Sequence, residues 1–89
     1  MNAKKRMKLV EDITNLLVSY GYELTRYGTY QKLNKQTGNM IRYKFTKIGL
    51  RKEVQSVFSD GSKSWSRLSS GYLKDIYITE DRKIGGMTK

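Results

Sequence analysis

The chain has 89 residues, which suits one domain with a modest core and leaves no room for a second module. Its 18 Lys and Arg against eight Asp and Glu give a net charge of +10, and it has no histidine, cysteine or proline. Those absences exclude a disulfide scaffold, a thiolate zinc site and the commonest acid-base catalyst, and no apolar run reaches the ~18 residues of a membrane span.

The apolar content is thin at 37%, but 11% of residues are aromatic and seven of those are tyrosines, so the chain does not have a disordered composition. Residues 2–6 are polar and basic and are expected to fray. From Met7 a helical period sets in: Leu9, Val10, Ile13, Leu16, Leu17 and Tyr20 fall on one stripe, with Lys8, Glu11, Asp12 and Asn15 opposite. Gly21 stands where a helix closes through a left-handed residue.

Beyond Gly21 the period drops towards two. Tyr22 to Tyr27 suits a first strand, Gly28 a tight turn and Thr29 to Leu33 a second strand, though neither alternates cleanly enough to assign its faces. Lys35-Gln36-Thr37-Gly38-Asn39 has the residue types of a hairpin loop. Met40 to Lys47 alternates well, with Ile41, Tyr43 and Phe45 on one side and Met40, Arg42, Lys44 and Thr46 on the other. A short reversal at Ile48-Gly49 leads into a fourth strand, Leu50 to Phe58, ended by a turn at Ser59-Asp60-Gly61-Ser62. Trp65, Leu68 and Tyr72 permit either a short helix or an irregular strand. Asp75 to Thr79 reads as a last strand with Ile76 and Ile78 inward, Glu80 to Lys83 as its turn, and residues from Gly85 as a loose tail. The expected architecture is α+β: a single domain over 1–89, flexible at 1–6 and 85–89, with one N-terminal helix packed on a small antiparallel sheet of four to six strands.

The charge is unevenly placed. Eight cations and no acid lie between Leu24 and Lys52, while the segments on either side are nearly balanced. A single-signed field on ordered structure, interleaved with tyrosines, points to nucleic acid, with Arg and Lys tracking phosphates and exposed aromatic rings stacking on bases. The residues singled out are Arg26, Tyr27, Tyr30, Lys32, Lys35, Arg42, Lys44 and Lys47. Arg42 and Lys44 leave one strand face roughly 7 Å apart, close to the spacing of successive phosphates. Arg26 and Lys32 join them if the first hairpin pairs alongside; Tyr27 and Tyr30 are the stacking candidates, since Tyr43 alternates with core residues. Lys35 and Lys47 are marginal. Lys4, Lys5, Arg6 and Lys8 form a second basic cluster, read as a solvated terminus, with a binding arm that adds non-specific phosphate affinity as the alternative. Trp65 reads as a core or satellite-core residue.

No carboxylate pair has metal-ligand spacing and no phosphate-cradling glycine motif occurs, so neither a catalytic residue, a metal nor a cofactor is assigned and the chain is read as a non-enzyme.

The run Gly21-Tyr22-Glu23-Leu24-Thr25-Arg26-Tyr27-Gly28, following a helix, resembles the opening of the HicA-type toxins. In that family a helix leads into a sheet of the double-stranded-RNA-binding type. The family's catalytic histidine would fall just after Gly28, where this chain has Thr29 and Tyr30, so the resemblance implies no activity. It implies only that a helix-plus-sheet RNA-binding surface suits the sequence.

The expectation is therefore a cytoplasmic, non-enzymatic nucleic-acid-binding module, with RNA or single strands favoured over duplex DNA and no membrane partner. The alternative is a compact inhibitor or adaptor, such as a virus-type antagonist that binds a nucleic-acid-targeting enzyme or toxin, with or without RNA.

Overall fold

Helix α1 (Ala3–Ser19) opens the computed structural model, which describes every residue from Met1 to Lys89. It begins earlier than the apolar period because Asn2 caps it, its side chain accepting from the Lys5 N–H at 2.9 Å. Residues 3–6 are thus helical where a frayed arm was expected, and Arg6 ties this first turn to the sheet by donating to the Thr46 carbonyl at 3.2 Å. At the other end Gly21 takes φ +90°. Its N–H bonds the Val18 carbonyl while the Tyr22 N–H reaches back to Leu17, the double closure of a Schellman motif.

Five strands follow as an antiparallel meander in chain order: β1 (Glu23–Leu24), β2 (Tyr30–Asn34), β3 (Asn39–Phe45), β4 (Gly49–Val57) and β5 (Lys63–Tyr72). A 3-10 turn at Leu73–Asp75 leads to a separate hairpin of β6 (Tyr77–Ile78) and β7 (Ile84–Gly85). One N-terminal helix on antiparallel strands is the α+β arrangement expected.

Several boundaries differ from expectation for local reasons. The first strand shrinks to two residues because Thr25 to Gly28 forms a turn, held by Thr25 N–H to Thr29 carbonyl and Gly28 N–H to Thr25 carbonyl. The segment 65–72, open between helix and strand, is strand throughout. The last strand loses Asp75 to the 3-10 turn. In the C-terminal segment Gly85 pairs with Tyr77, Met87 packs on the core, and Thr88 exchanges two backbone hydrogen bonds with Ser70 on the outer edge of β5.

Register assigns the faces, because directly opposed residues share one. The rows Tyr30–Tyr43–Lys52–Ser69, Lys32–Ile41–Val54–Ser66 and Phe45–Leu50–Gly71 lie on the inner face, which the helix covers. The rows Lys44–Arg51–Ser70 and Glu23–Gln31–Arg42–Glu53–Arg67 lie on the outer face. Ile13 and Leu17 from the helix meet Leu50, Leu73 and Ile76 in the core, with Tyr43, Phe45, Ile78 and Ile84 around them. Only nine of 89 residues are buried, so each of these core side chains, worth about 1.5–3 kcal/mol on full burial, carries a large share of the stability.

The β4–β5 hairpin runs beyond the neighbouring strands, giving a body of 46 × 26 × 24 Å. At its base β4 and β5 come very close: a Cβ at Gly49 would stand 2.0 Å from the Gly71 carbonyl oxygen. No helix is long and apolar enough to cross a membrane.

Candidate nucleic-acid interface

The outer face of the sheet lies opposite the helix, and its side chains come from alternating positions of β1 to β5. One end of that face carries Lys44 and Arg51, directly opposed across β3 and β4, with Arg67 one row further along β5. The Thr46–Ile48 turn puts Lys47 at the rim. Lys47, Arg51 and Arg67 line a shallow groove of about 860 Å³ with the hydroxyl-bearing Ser70 and Thr88, and Asp75 is its one acid. Gly49, Gly71 and Gly86 line the same groove, so backbone is within reach of whatever fills it.

The groove continues around the end of the sheet. A smaller hollow beside it is lined by Arg6, Lys47, Tyr72 and Lys74, and shares Lys47, Ile48 and Tyr72 with the first. Tyr72 is 55% exposed, with the Lys74 ammonium 5.8 Å from its ring centroid. A strip of five cations and one open aromatic ring therefore runs from Arg67 through Arg51 and Lys47 to Lys74 and Arg6. The first turn of α1 adds Lys4 and Lys5 to this end and contains no acid. The positive end of the helix dipole is directed the same way, adding roughly half a unit charge.

Arg42 has a different role. Its Nε lies 2.7 Å from Glu53 Oε1, and its guanidinium carbon stands 3.9 Å from the centroid of Trp65. The Glu53 side chain is only 9% exposed and that of Arg42 22%. Arg42 is thus a clamp that neutralises a buried carboxylate and covers an indole, with its charge already spent. Trp65, read as core or satellite core, is half-buried on this outer face beneath the Arg42 guanidinium.

The structure separates the eight residues chosen from the sequence. Lys44 and Arg42 share the outer face as expected, and Lys47 stands at its rim. Arg26 and Tyr27 sit on the β1–β2 turn, at the same end of the sheet as Lys47 but about 10 Å away across two strand spacings. Arg26 stacks 4.9 Å from the Tyr27 ring and donates to its hydroxyl at 2.8 Å, leaving Tyr27 76% exposed. Lys35 lies on the β2–β3 loop at the opposite end. Tyr30 and Lys32 do not join Arg42 and Lys44: β2 does pair with β3, but the pairing of Tyr30 with Tyr43 and Lys32 with Ile41 turns both inward. Tyr30 packs against the core, and Lys32 donates to the Tyr20 carbonyl at the end of the helix.

Sequence reasoning did not single out Arg51, Arg67, Tyr72 or Lys74, and it set Arg6 apart in the N-terminal basic cluster. Strand alternation contained the signal for Arg51, because it is two residues from Glu53 and opposite Lys44. Arg67 needed the irregularity that shifts the β4–β5 register between Lys52 and Glu53, which no residue type announces. No group of three or more His, Cys, Asp or Glu is placed to hold a metal ion. No family model, curated protein or solved structure matches this chain.

Proposed function

We propose that this chain is a small non-enzymatic nucleic-acid-binding module that takes RNA or single strands along the outer sheet face and the adjoining turn end. The observation that carries this reading is the unpaired state of Lys44, Lys47, Arg51 and Arg67. The chain forms only three ion pairs, Lys8–Asp12, Arg42–Glu53 and Lys83–Asp81, and none involves these four. Clustered like charges repel and destabilise the folded state, so a sheet face that gathers them suits an anionic partner. Lys4, Lys5 and Arg6 add to the argument, since cations in a first helical turn oppose the dipole.

Single strands fit better than a duplex read through its grooves. Helix α1 gives its apolar stripe to the core, and its exposed side carries Glu11 as well as lysines. The groove is shallow, and Tyr72 and Tyr27 offer open π faces on which any base can stack.

Anisotropy of a labelled single-stranded RNA tests the assignment. Arg51→Glu with Arg67→Glu should weaken binding by about tenfold or more, while Lys35→Glu at the far end should change it little. Equal losses from the two variants would overturn the placement.

The inhibitor or adaptor reading is favoured by a separate observation. The outer edge of β5 pairs only at Ser70, and Val57 and Phe58 at the hairpin end are 60% and 53% exposed. An open edge and apolar tip suit strand addition to another protein. A stoichiometric protein partner retained after nuclease treatment would favour it over the nucleic-acid reading.

A further inference from the structure

On the opposite face of the sheet, beside the C-terminal end of α1, three lysines from three distant segments converge on a cluster of tyrosines. We propose that this hollow binds a nucleoside phosphate, with the phosphate held by Lys32, Lys52 and Lys83 and the base against Tyr22 and Tyr43. The hollow measures about 500 Å³, with Leu17 and Ile84 as its apolar floor, and no carboxylate lines it. That is far more than a bare phosphate fills, and within the ordinary range for small-molecule sites.

Topology explains the convergence. Lys32 on β2 and Lys52 on β4 flank β3 on the inner face, with Tyr43 directly opposite Lys52. Lys83 arrives from the turn between β6 and β7. The Lys32 ammonium stands 5.9 Å from the Tyr22 centroid and that of Lys52 5.7 Å from Tyr43, so π faces hold both charges without cancelling them. Lys83 reaches Asp81 at 3.7 Å, but both side chains are mostly exposed, and such a contact is weak in water. The helix C-terminus contributes only about half a negative unit, and Lys32 already caps it through the Tyr20 carbonyl. Three positive units outweigh it.

The tyrosines supply donors as well as surface. The Tyr22 and Tyr43 rings meet edge to face at 5.3 Å and 70°. Burial, helped by the adjacent phenols of Tyr22 and Tyr20, pushes the Tyr43 hydroxyl up to about 12, and burial raises that of Tyr22. Both remain protonated at neutral pH, and neither is engaged in a hydrogen bond within the chain. Tyr20, by contrast, spends its hydroxyl on the Arg82 carbonyl.

The site stands apart from the outer groove, because Lys52 and Arg51 point to opposite faces of β4. Its chemistry has two sources, a free nucleotide or the phosphorylated end of a strand. Calorimetric titration with ADP, and with a short RNA carrying either a 5′-phosphate or a 5′-hydroxyl, separates them. ADP binding at one site per chain would identify the free nucleotide; tighter binding of the 5′-phosphorylated RNA than of its 5′-hydroxyl twin would identify the strand end. In either case Lys52→Gln with Lys83→Gln should cost about tenfold or more in ADP affinity or in the 5′-phosphate preference; Arg51→Glu with Arg67→Glu should leave the ADP affinity unchanged and weaken both RNAs alike, so that their affinity ratio is kept. Lys83→Gln alone, on an exposed turn, repeats the test should the double variant unfold. The proposal fails if ADP does not bind and the two RNAs bind alike, or if the outer-face variant lowers the ADP affinity or the ratio between the two RNAs as much as the lysine variant does.

Discussion

Replacing Arg42 by glutamine should unfold the domain more readily without touching the groove proposed to take phosphates. The Glu53 carboxylate is 9% exposed and accepts from Arg42 Nε at 2.7 Å, with Trp65 under the guanidinium. Removing the partner of a fully buried ion costs about 3–5 kcal/mol, and a surface pair costs under about 1 kcal/mol. Arg42 is partly open at 22%, so the expected loss lies between these limits, about 2–3 kcal/mol including the lost cation–π contact. For a domain of this size that lowers Tm by roughly 10–20 °C. Arg42→Gln combined with Glu53→Gln removes the orphaned charge and should recover more than half of the loss. Thermal and urea unfolding of the three variants give the cycle directly. At a temperature where Arg42→Gln stays folded, its RNA affinity should match that of the wild type. A stability loss below about 1 kcal/mol, or a binding defect in the folded variant, would refute the clamp and return Arg42 to the interface.

Three further expectations follow from the same geometry. Lys4→Glu with Lys5→Glu puts favourable charge in the first turn of α1 and should raise stability by about 0.3–1 kcal/mol per site while weakening RNA binding, a trade-off visible by urea unfolding and anisotropy on one sample. Gly49→Ala should prevent stable folding, since its Cβ would sit 2.0 Å from the Gly71 carbonyl oxygen; circular dichroism decides this at once. Tyr43 keeps its proton up to about 12 when folded, against an unfolded value near 10, so unfolded chains release that proton first as pH rises. Its contribution to stability is therefore complete below pH 10 and is lost between about 10 and 12, and Tyr43→Phe should flatten this part of the stability profile.

What the sequence revealed, and what it hid, follows the range of the physical signal. The helix was legible because its stripe and its Gly21 closure are local. The third strand was legible because Ile41, Tyr43 and Phe45 alternate cleanly with Arg42 and Lys44. The second strand was not, because its inward row is Tyr30, Lys32 and Asn34 while the apolar Leu33 faces out, the reverse of what polarity suggests. Only pairing with Tyr43 and the helix end makes Lys32 an inner-face residue. The fate of Arg42 was hidden for a similar reason: Glu53 lies opposite it only once the Thr46–Ile48 turn sets the register. Lys52, Lys83 and Tyr22 meet through tertiary packing of segments far apart in the chain, and periodicity carries no trace of it.

The reading of the outer face as a phosphate-tracking surface is tested most directly by the salt dependence of single-stranded RNA binding. With four or five cations contacting phosphates, log affinity should fall against log salt with a slope of about −3, and Arg51→Glu with Arg67→Glu should reduce that slope by about 1 or more. A slope near zero, or one the double variant leaves unchanged, would contradict the account.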